Sequence, residues 1–252
     1  MSSATITLKS VSVDLGERTI LDGLSATFAA GEISIVLGPS GSGKSTILRV
    51  LAGLQRIDSG AVVVGSTPIT GPSASRGLVF QHDGLLPWLS IQQNVELPLK
   101  IAGVPRLERR RRALEILDEV ELSGCTRMHP SELSGGMKQR AQIARVLVTR
   151  PSVLLLDEPF SALDVRTRAA CQQLLRRVHA EHRPTVVFVT HDLEEASSLG
   201  GRQLILTGRP ATRLVPLPDI DEPASGETLS LNEMHARRLR LLDLFALEEG
   251  QL

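Results

Sequence analysis

Gly38-Pro39-Ser40-Gly41-Ser42-Gly43-Lys44-Ser45-Thr46 follows the apolar run Ile33–Leu37 and precedes a helical run at residues 47–54. That order, strand then glycine-rich loop then helix, decides the fold. The glycines let successive backbone N–H groups turn inward as a cradle for phosphate oxygens, and the helix N-terminus adds a partial positive charge. In the pattern G-x-x-x-x-G-K-[ST], Lys44 reaches the β- and γ-phosphates of a nucleotide and Ser45 ligates Mg²⁺. A plain glycine-rich turn is the competing reading. A chance match in 252 residues is on the order of one per cent, and the flanking strand and helix lower it further.

Outward from this loop, short β-branched runs alternate with helical patterns. Strands are expected at Ile33–Leu37, 61–64, 78–80, 153–156, Thr185–Thr190 and 203–207. The alternation predicts an α/β fold with a mainly parallel core sheet. Residues 6–28 differ: apolar and polar residues alternate around the turn signals Gly16 and Asp22-Gly23, which predicts an antiparallel, half-exposed sheet leading into the core. No strand is expected from Leu85 to Leu133. Residues 106–122 read as a helix with Leu107, Leu114, Leu117 and Val120 near one face. After Gly208 the prolines 210, 216, 218 and 223 are expected to interrupt any regular element. A last helix is then opened by the capping box Ser230-x-x-Glu233. Four stretches follow: 1–84, the first part of the core with the phosphate loop; 85–135, an inserted helical subdomain; 136–207, the rest of the core; and 208–252, a proline-rich tail.

Composition narrows the function classes. Lys plus Arg and Asp plus Glu both number 28, and zero net charge argues against a nucleic-acid binder driven by overall charge. The two cysteines, Cys125 and Cys171, suggest neither a disulfide framework nor a metal set. No signal segment is visible, and apolar runs such as Val153-Leu154-Leu155-Leu156 are far short of the ~18 residues that span a bilayer. The expectation is a soluble intracellular protein that serves any membrane process from outside the lipid.

Two further stretches carry chemistry. Asp157-Glu158 closes the run 153–156 at the end where α/β sheets place ligands. Alone, such a pair is more often a helix cap. Beside a phosphate loop, Asp157 suits a metal and Glu158 is free to orient or deprotonate water. Leu133-Ser134-Gly135-Gly136-Met137-Lys138-Gln139-Arg140 opens an amphipathic helix with Met137, Ala141, Ala144 and Val148 on one stripe. Alone it is a good N-cap. In a chain with one phosphate loop, a second anion-receiving helix start suggests two sites that meet across a dimer.

With these stretches in hand, the chain resembles the nucleotide-binding subunits of ATP-binding cassette (ABC) transporters, over about residues 6–208. Gln81 matches that family's glutamine loop, 133–140 its signature loop, Asp157 and Glu158 its metal aspartate and catalytic glutamate, and Ser161-Ala162-Leu163-Asp164 its D-loop. His191, after Thr185–Thr190, matches the switch histidine. The resemblance implies that two copies close head to tail around two Mg-ATP. Residues 38–46, Gln81, Asp164 and the partner's Ser134, Gly135 and Gly136 would bind nucleotide. Ser45, Gln81 and Asp157 would hold Mg²⁺, Glu158 would activate water and His191 would contact the γ-phosphate. It further implies docking on a membrane permease at the cytoplasmic face, an indirect link to a solute-binding protein, and no nucleic acid.

Gln81-His82-Asp83-Gly84-Leu85-Leu86-Pro87-Trp88-Leu89 resembles, more narrowly, importers of the nitrate, sulfonate and taurine group. Trp88 reads equally as a packing residue or a permease contact. Arg109–Arg112, ringed by Glu108, Glu115, Asp118, Glu119 and Glu121, reads as a solvated helix face. The chain departs from the family where an aromatic side chain stacks on adenine: Leu15 stands there, before Gly16, and Phe28 falls in the core-facing phase. A non-transport cassette ATPase is the alternative, but the long coiled-coil arms, tandem cassette or basic surface it needs are not seen. In a small-molecule kinase, the signature loop and His191 would have no role.

Overall fold

The computed structural model describes residues 3–81 and 84–216. The helix expected after Ser230, and His82-Asp83, lie outside the described residues. The elements in chain order are β1 (Ile6–Leu15), β2 (Arg18–Phe28), β3 (Ile33–Leu37), α1 (Lys44–Ala52), β4 (Ser59–Val64), β5 (Thr67–Pro68), β6 (Arg76–Val79), α2 (Ile91–Ile101), α3 (Arg106–Glu119), α4 (Gly135–Leu147), β7 (Val153–Asp157), α5 (Val165–His182), β8 (Thr185–Thr190), α6 (Leu193–Leu199), β9 (Arg202–Thr207) and β10 (Ala211–Pro216).

These strands form one sheet in the order β5-β4-β1-β2-β10-β9-β3-β8-β7-β6. Strands β9, β3, β8, β7 and β6 run parallel to one another, as the apolar runs predict. Strands β1, β2, β4 and β5 pair antiparallel, as residues 6–28 predict for the first two. The central strands β3, β7 and β8 are fully buried and sort their side chains by parity, because successive residues face opposite sides of a sheet. Ile33, Ile35, Leu37, Leu154, Leu156, Val186 and Phe188 pack under the helices α2 to α6. Val36, Val153, Leu155, Val187 and Val189 pack with α1 and the inner faces of β1 and β2, where Phe28 is buried as expected.

Three expectations are corrected. Residues 211–216 form β10, although prolines surround it: Pro210 precedes the strand and Pro216 ends it, positions where a missing N–H breaks little of the ladder. Strand β10 pairs antiparallel with β9 and parallel with β2, joining the two parts of the sheet. The buried face of α3 is Ala113, Ile116 and Leu117, continued by Val120, at i, i+3, i+4 and i+7; Leu107 is 85% exposed and Leu114 is also on the surface. The helix ends at Glu119, before Glu121 at φ 60°. Trp88 is 70% exposed, so it does not serve as a packing residue.

The region between β6 and β7 contains no strand among the described residues, in line with the expected helical insertion. Helix α2 starts with a capping box: Ser90 Oγ accepts from Gln93 N while Gln93 Oε1 accepts from Ser90 N. Arg111 and Arg112 pair with Glu108 and Glu115 on the solvated face read from the sequence, whereas Arg109 is half-buried and pairs with Glu96 of α2. The end of α3 is tied to the core by charge: Glu121 accepts from Arg140 and Arg177, and His182 bonds Glu119 at 2.9 Å.

Candidate nucleotide site

The parallel register brings four chain segments to one level of the sheet. Leu37 pairs with Thr190, Asp157 with Val189 and Val79 with Leu156. The phosphate loop, His191, Glu158 and Gln81 therefore leave adjacent strands at the same carboxyl edge, where ligands of α/β sheets sit.

The loop owes its shape to glycine. Gly41 has φ 79° and Gly43 φ 101°, a left-handed region costly for other residues. A Cβ on Gly43 would also approach Ile20 Cγ2 and Leu21 Cδ2 at 3.2 Å each. Ser42 Oγ is buried with no hydrogen-bond partner, a donor of the kind a phosphate oxygen satisfies. Ser40 is exposed and Thr46 half-buried in the first turn of α1.

Lys44 is 4% exposed. Its ammonium donates to the carbonyls of Gly38 (2.7 Å) and Pro39 (2.8 Å) and lies 3.7 Å from Glu158 Oε1. Burial lowers its pKa below the ordinary 10.5, and the charges of Glu158 and Asp157 oppose that. Ser45 Oγ donates to Asp157 Oδ1 at 2.9 Å. Burial raises the Asp157 pKa, with the Ser45 hydrogen bond acting against it. A hydroxyl and a buried carboxylate in contact form a hard-oxygen pair, which fits Mg²⁺ and its preference for few protein oxygens.

Glu158 is a non-glycine residue at φ 43°. Its N–H donates to Val189 O, and its carbonyl accepts from both Ser161 Oγ (3.0 Å) and Ser161 N. Thus anchored, its carboxylate stands between Lys44 and His191, with Oε2 3.0 Å from His191 Nδ1. A carboxylate only accepts, so Nδ1 carries a proton.

Lys44, Ser45, Asp157, Glu158 and His191 are thus brought together. Gln81 is exposed, two residues beyond Val79 as Glu158 is beyond Leu156. The signature turn is elsewhere: among the described residues, no hydrogen bond or ion pair joins Ser134, Gly135 or Gly136 to the phosphate loop. Ser134 caps α4 by accepting from Met137 N, and Gly136 is where α4 meets α5, since a Cβ there would fall 2.1 Å from Thr167 Cγ2. Asp164 caps α5, accepting from Arg166 N, Thr167 N and Thr167 Oγ1, and the Thr167 bonds lower its pKa.

Two features were not anticipated. The turn before β10 adds Gly208–Ala211 to a cleft of about 250 Å³ that residues 18–20, Gly41 and Ser42 also line. Leu15, 45% exposed, pairs with Arg18 at the rim of this region. Arg168, Thr190 and Glu195 also join the surroundings of His191. Their one sequence signal was the spacing Asp192-x-x-Glu195, which reads as a capping box.

A family model described as "ABC transporter" matches residues 21–161. The taurine import ATP-binding protein TauB of Chromobacterium violaceum is 47% identical over 190 residues, 75% of this chain and 73% of that protein. The aliphatic sulfonates import ATP-binding protein SsuB 2 of Burkholderia cenocepacia is 46% identical over 233 residues, 91% and 83% of the two chains. Among solved structures, the dimeric post-hydrolysis ATP-binding cassette MJ0796 bound to ADP and Pi has TM-score 0.72 and 35% identity, covering 82% of this chain and 95% of that one.

Proposed function

The chain belongs to the ABC transporter family, and on that premise we propose that it is the ATP-hydrolysing subunit of a bacterial importer of a small solute of the taurine, sulfonate or nitrate type. The observation that carries the reading is the meeting of Lys44, Ser45, Asp157, Glu158 and His191 at one sheet edge. The names of the import subunits at 46–47% identity support the taurine and sulfonate members of that class.

The loop 38–46 cradles the triphosphate with inward N–H groups, and Lys44 exchanges its contacts with Gly38 O and Pro39 O for phosphate oxygens. Ser45 and Asp157, with Gln81, would hold Mg²⁺, which when bound neutralises charge on the phosphate oxygens. Glu158 orients water and accepts its proton. His191, held by Glu158 through Nδ1, turns its other ring nitrogen toward the γ-phosphate.

A second copy completes each site by its Ser134, Gly135, Gly136 and Asp164. The separation of that turn from the phosphate loop within one chain, and the dimeric state named for a cassette of like fold, support this. Residues 85–135 act as the helical part that docks on the permease, with Trp88, Ile101 and Leu107 offering exposed apolar surface. Residues 1–84 and 136–216 carry the nucleotide core, β10 included. No described helix is long and apolar enough to cross a membrane, which fits a subunit held at the cytoplasmic face by its permease. A solute-binding protein delivers the solute. Zero net charge supports the absence of nucleic acid from the set of partners.

The test is reconstitution of the chain with its permease and solute-binding protein in proteoliposomes. ATP hydrolysis rises with taurine, an alkanesulfonate or nitrate in the lumen. Hydrolysis indifferent to all three, or no association with the permease, overturns the reading.

A further inference from the structure

Glu195 is 2% exposed on α6, and such a carboxylate is expensive to bury unless it is paired. Its Oε2 accepts from the Thr190 hydroxyl at 2.6 Å. Its Oε1 has no hydrogen-bond partner, and neither has Arg168 Nε, 3.6 Å away. A buried donor and a buried acceptor thus face each other just beyond hydrogen-bond range. The other two nitrogens of the Arg168 guanidinium each make a hydrogen bond. Nη1 donates to Asp192 Oδ2 at 2.9 Å and Nη2 to the carbonyl of Leu163 at 3.1 Å.

Leu163 lies in the segment 161–164, and Thr190 and Asp192 flank His191. The contacts close a circuit. From Glu158 it runs through the Ser161 bond to the Glu158 carbonyl, along the chain to Leu163 and across to Arg168. It then passes to Asp192 and Glu195, through Thr190 to His191, and by Nδ1 back to the Glu158 carboxylate. Asp192 has a second duty, since Oδ1 caps α6 by accepting from Glu194 N and Glu195 N. Movement of segment 161–164 cannot leave the His191 strand end undisturbed, because one rigid guanidinium holds both.

We propose that Arg168 and Glu195 are a positioning pair that locks the segment 161–164 to His191, so that the imidazole takes its working place only when that segment does. This rests on reading Glu158 and His191 as the reacting groups. In the dimer the segment 161–164 would border the partner, so the pair passes the arrival of the second copy to the hydrolytic group of the same chain. Drawing the segment toward α6 completes the Nε to Oε1 bond and satisfies two buried polar atoms at once, which gives the locked arrangement its stability.

The test measures kcat and KM for ATP on the full chain with its permease, for Arg168→Ala, Glu195→Gln, the double variant and Arg168→Lys. The expected result is a fall in kcat of about tenfold at unchanged KM for either single variant, the size of coupling that contacting pairs show. The double variant is no worse than Arg168→Ala, and Arg168→Lys, which keeps a cation for Asp192, recovers part of the loss. A kcat at the wild-type level in Arg168→Ala, or losses that multiply in the double variant, overturns the proposal. If Arg168→Ala does not fold, as judged by its urea transition, Glu195→Gln and Arg168→Lys carry the same test. Glu158→Gln and His191→Ala run alongside. Wild-type turnover in those two overturns the site reading itself, whereas their loss with intact Arg168 variants removes only the coupling.

Discussion

The carboxylate of Glu158 and the imidazole of His191 are in contact, Oε2 to Nδ1 at 3.0 Å, across the ends of the neighbouring parallel strands β7 and β8. The same carboxylate has Lys44 3.7 Å from its other oxygen. One group therefore touches both the cation and the histidine proposed to meet the phosphates. Its place in the reaction follows from these contacts.

Glu158→Gln is expected to reduce ATP hydrolysis by at least the ~10²-fold that a positioned general base supplies. The amide keeps the shape and the contact to His191 but takes no proton. ATP binding is expected to survive, and the ATP-bound dimer to persist. Turnover of radiolabelled ATP, with sedimentation in the presence of nucleotide, checks both. Wild-type turnover would remove Glu158 from the chemistry.

Gly136→Ala tests the packing of the signature helix. The new Cβ falls on Thr167 Cγ2, and the threonine cannot simply rotate away because its hydroxyl is bonded to Asp164 at 2.6 Å. A loss of about 1–3 kcal/mol is expected, as for other overpacked contacts. Thr167→Ser in the same chain removes the clashing methyl, keeps the hydroxyl and is expected to restore most of the loss. Urea unfolding of the three variants decides it, and an unchanged midpoint for the single variant would refute it.

Leu15→Tyr tests the base site. Leucine covers one face of adenine but has no π-system, and base stacking on an aromatic ring is worth ~1–3 kcal/mol. In the Glu158→Gln background, the tyrosine variant is expected to bind ATP a few-fold more tightly, up to ~1 kcal/mol. The parent is expected to distinguish ATP poorly from GTP. Calorimetry with both nucleotides is the measurement. Unchanged affinity together with strong ATP preference would shift the base to other residues of the cleft by Arg18 and Arg209.

Glu195 sets a pH dependence of stability. Burial raises its pKa above the ordinary 4.5, the hydrogen bond from Thr190 and the charges of Arg168 and His191 pull down, and Asp192 pushes up. Between 4.5 and the raised value, the folded chain holds a proton that the unfolded chain has released. This contribution is fully present below 4.5 and is lost as pH rises through the folded value. The unfolding free energy of the wild type, taken relative to Glu195→Gln, is therefore expected to fall as pH climbs from 4.5. Urea titrations of both proteins at stepped pH follow it. A difference that stays flat or rises would mean that the carboxyl is not desolvated.

The core was legible in the sequence because its signals are local. Runs such as Val153-Leu154-Leu155-Leu156 state a strand buried on both faces without reference to anything else. The phosphate loop and Asp157-Glu158 fell at strand ends that the same runs define, so the contact of Ser45 with Asp157 over 112 positions was within reach. Strand β10 was not legible, because Pro210 and Pro216 signal interruption whether they break a strand or bracket one. Leu107 and Leu114 fit a helical stripe, but only the packed neighbours decide that Ala113 and Ile116 face inward instead. Arg168 and Glu195 are ordinary charged helix residues until the fold sets them 3.6 Å apart.

The late strand β10 has a consequence for biosynthesis. Among the described residues, it is the only strand that joins the antiparallel portion ending at β2 to the parallel portion starting at β9. A nascent chain that has emerged only as far as Gly208 therefore has the phosphate loop, both carboxylates and His191, yet its β2 and β9 flanks lie bare to other polypeptides. Unpaired strand flanks of this kind invite strand-to-strand aggregation. Six residues, Ala211–Pro216, seal both at once. A chain released before Ala211 would accordingly yield insoluble material, even though every residue assigned to catalysis had already been translated.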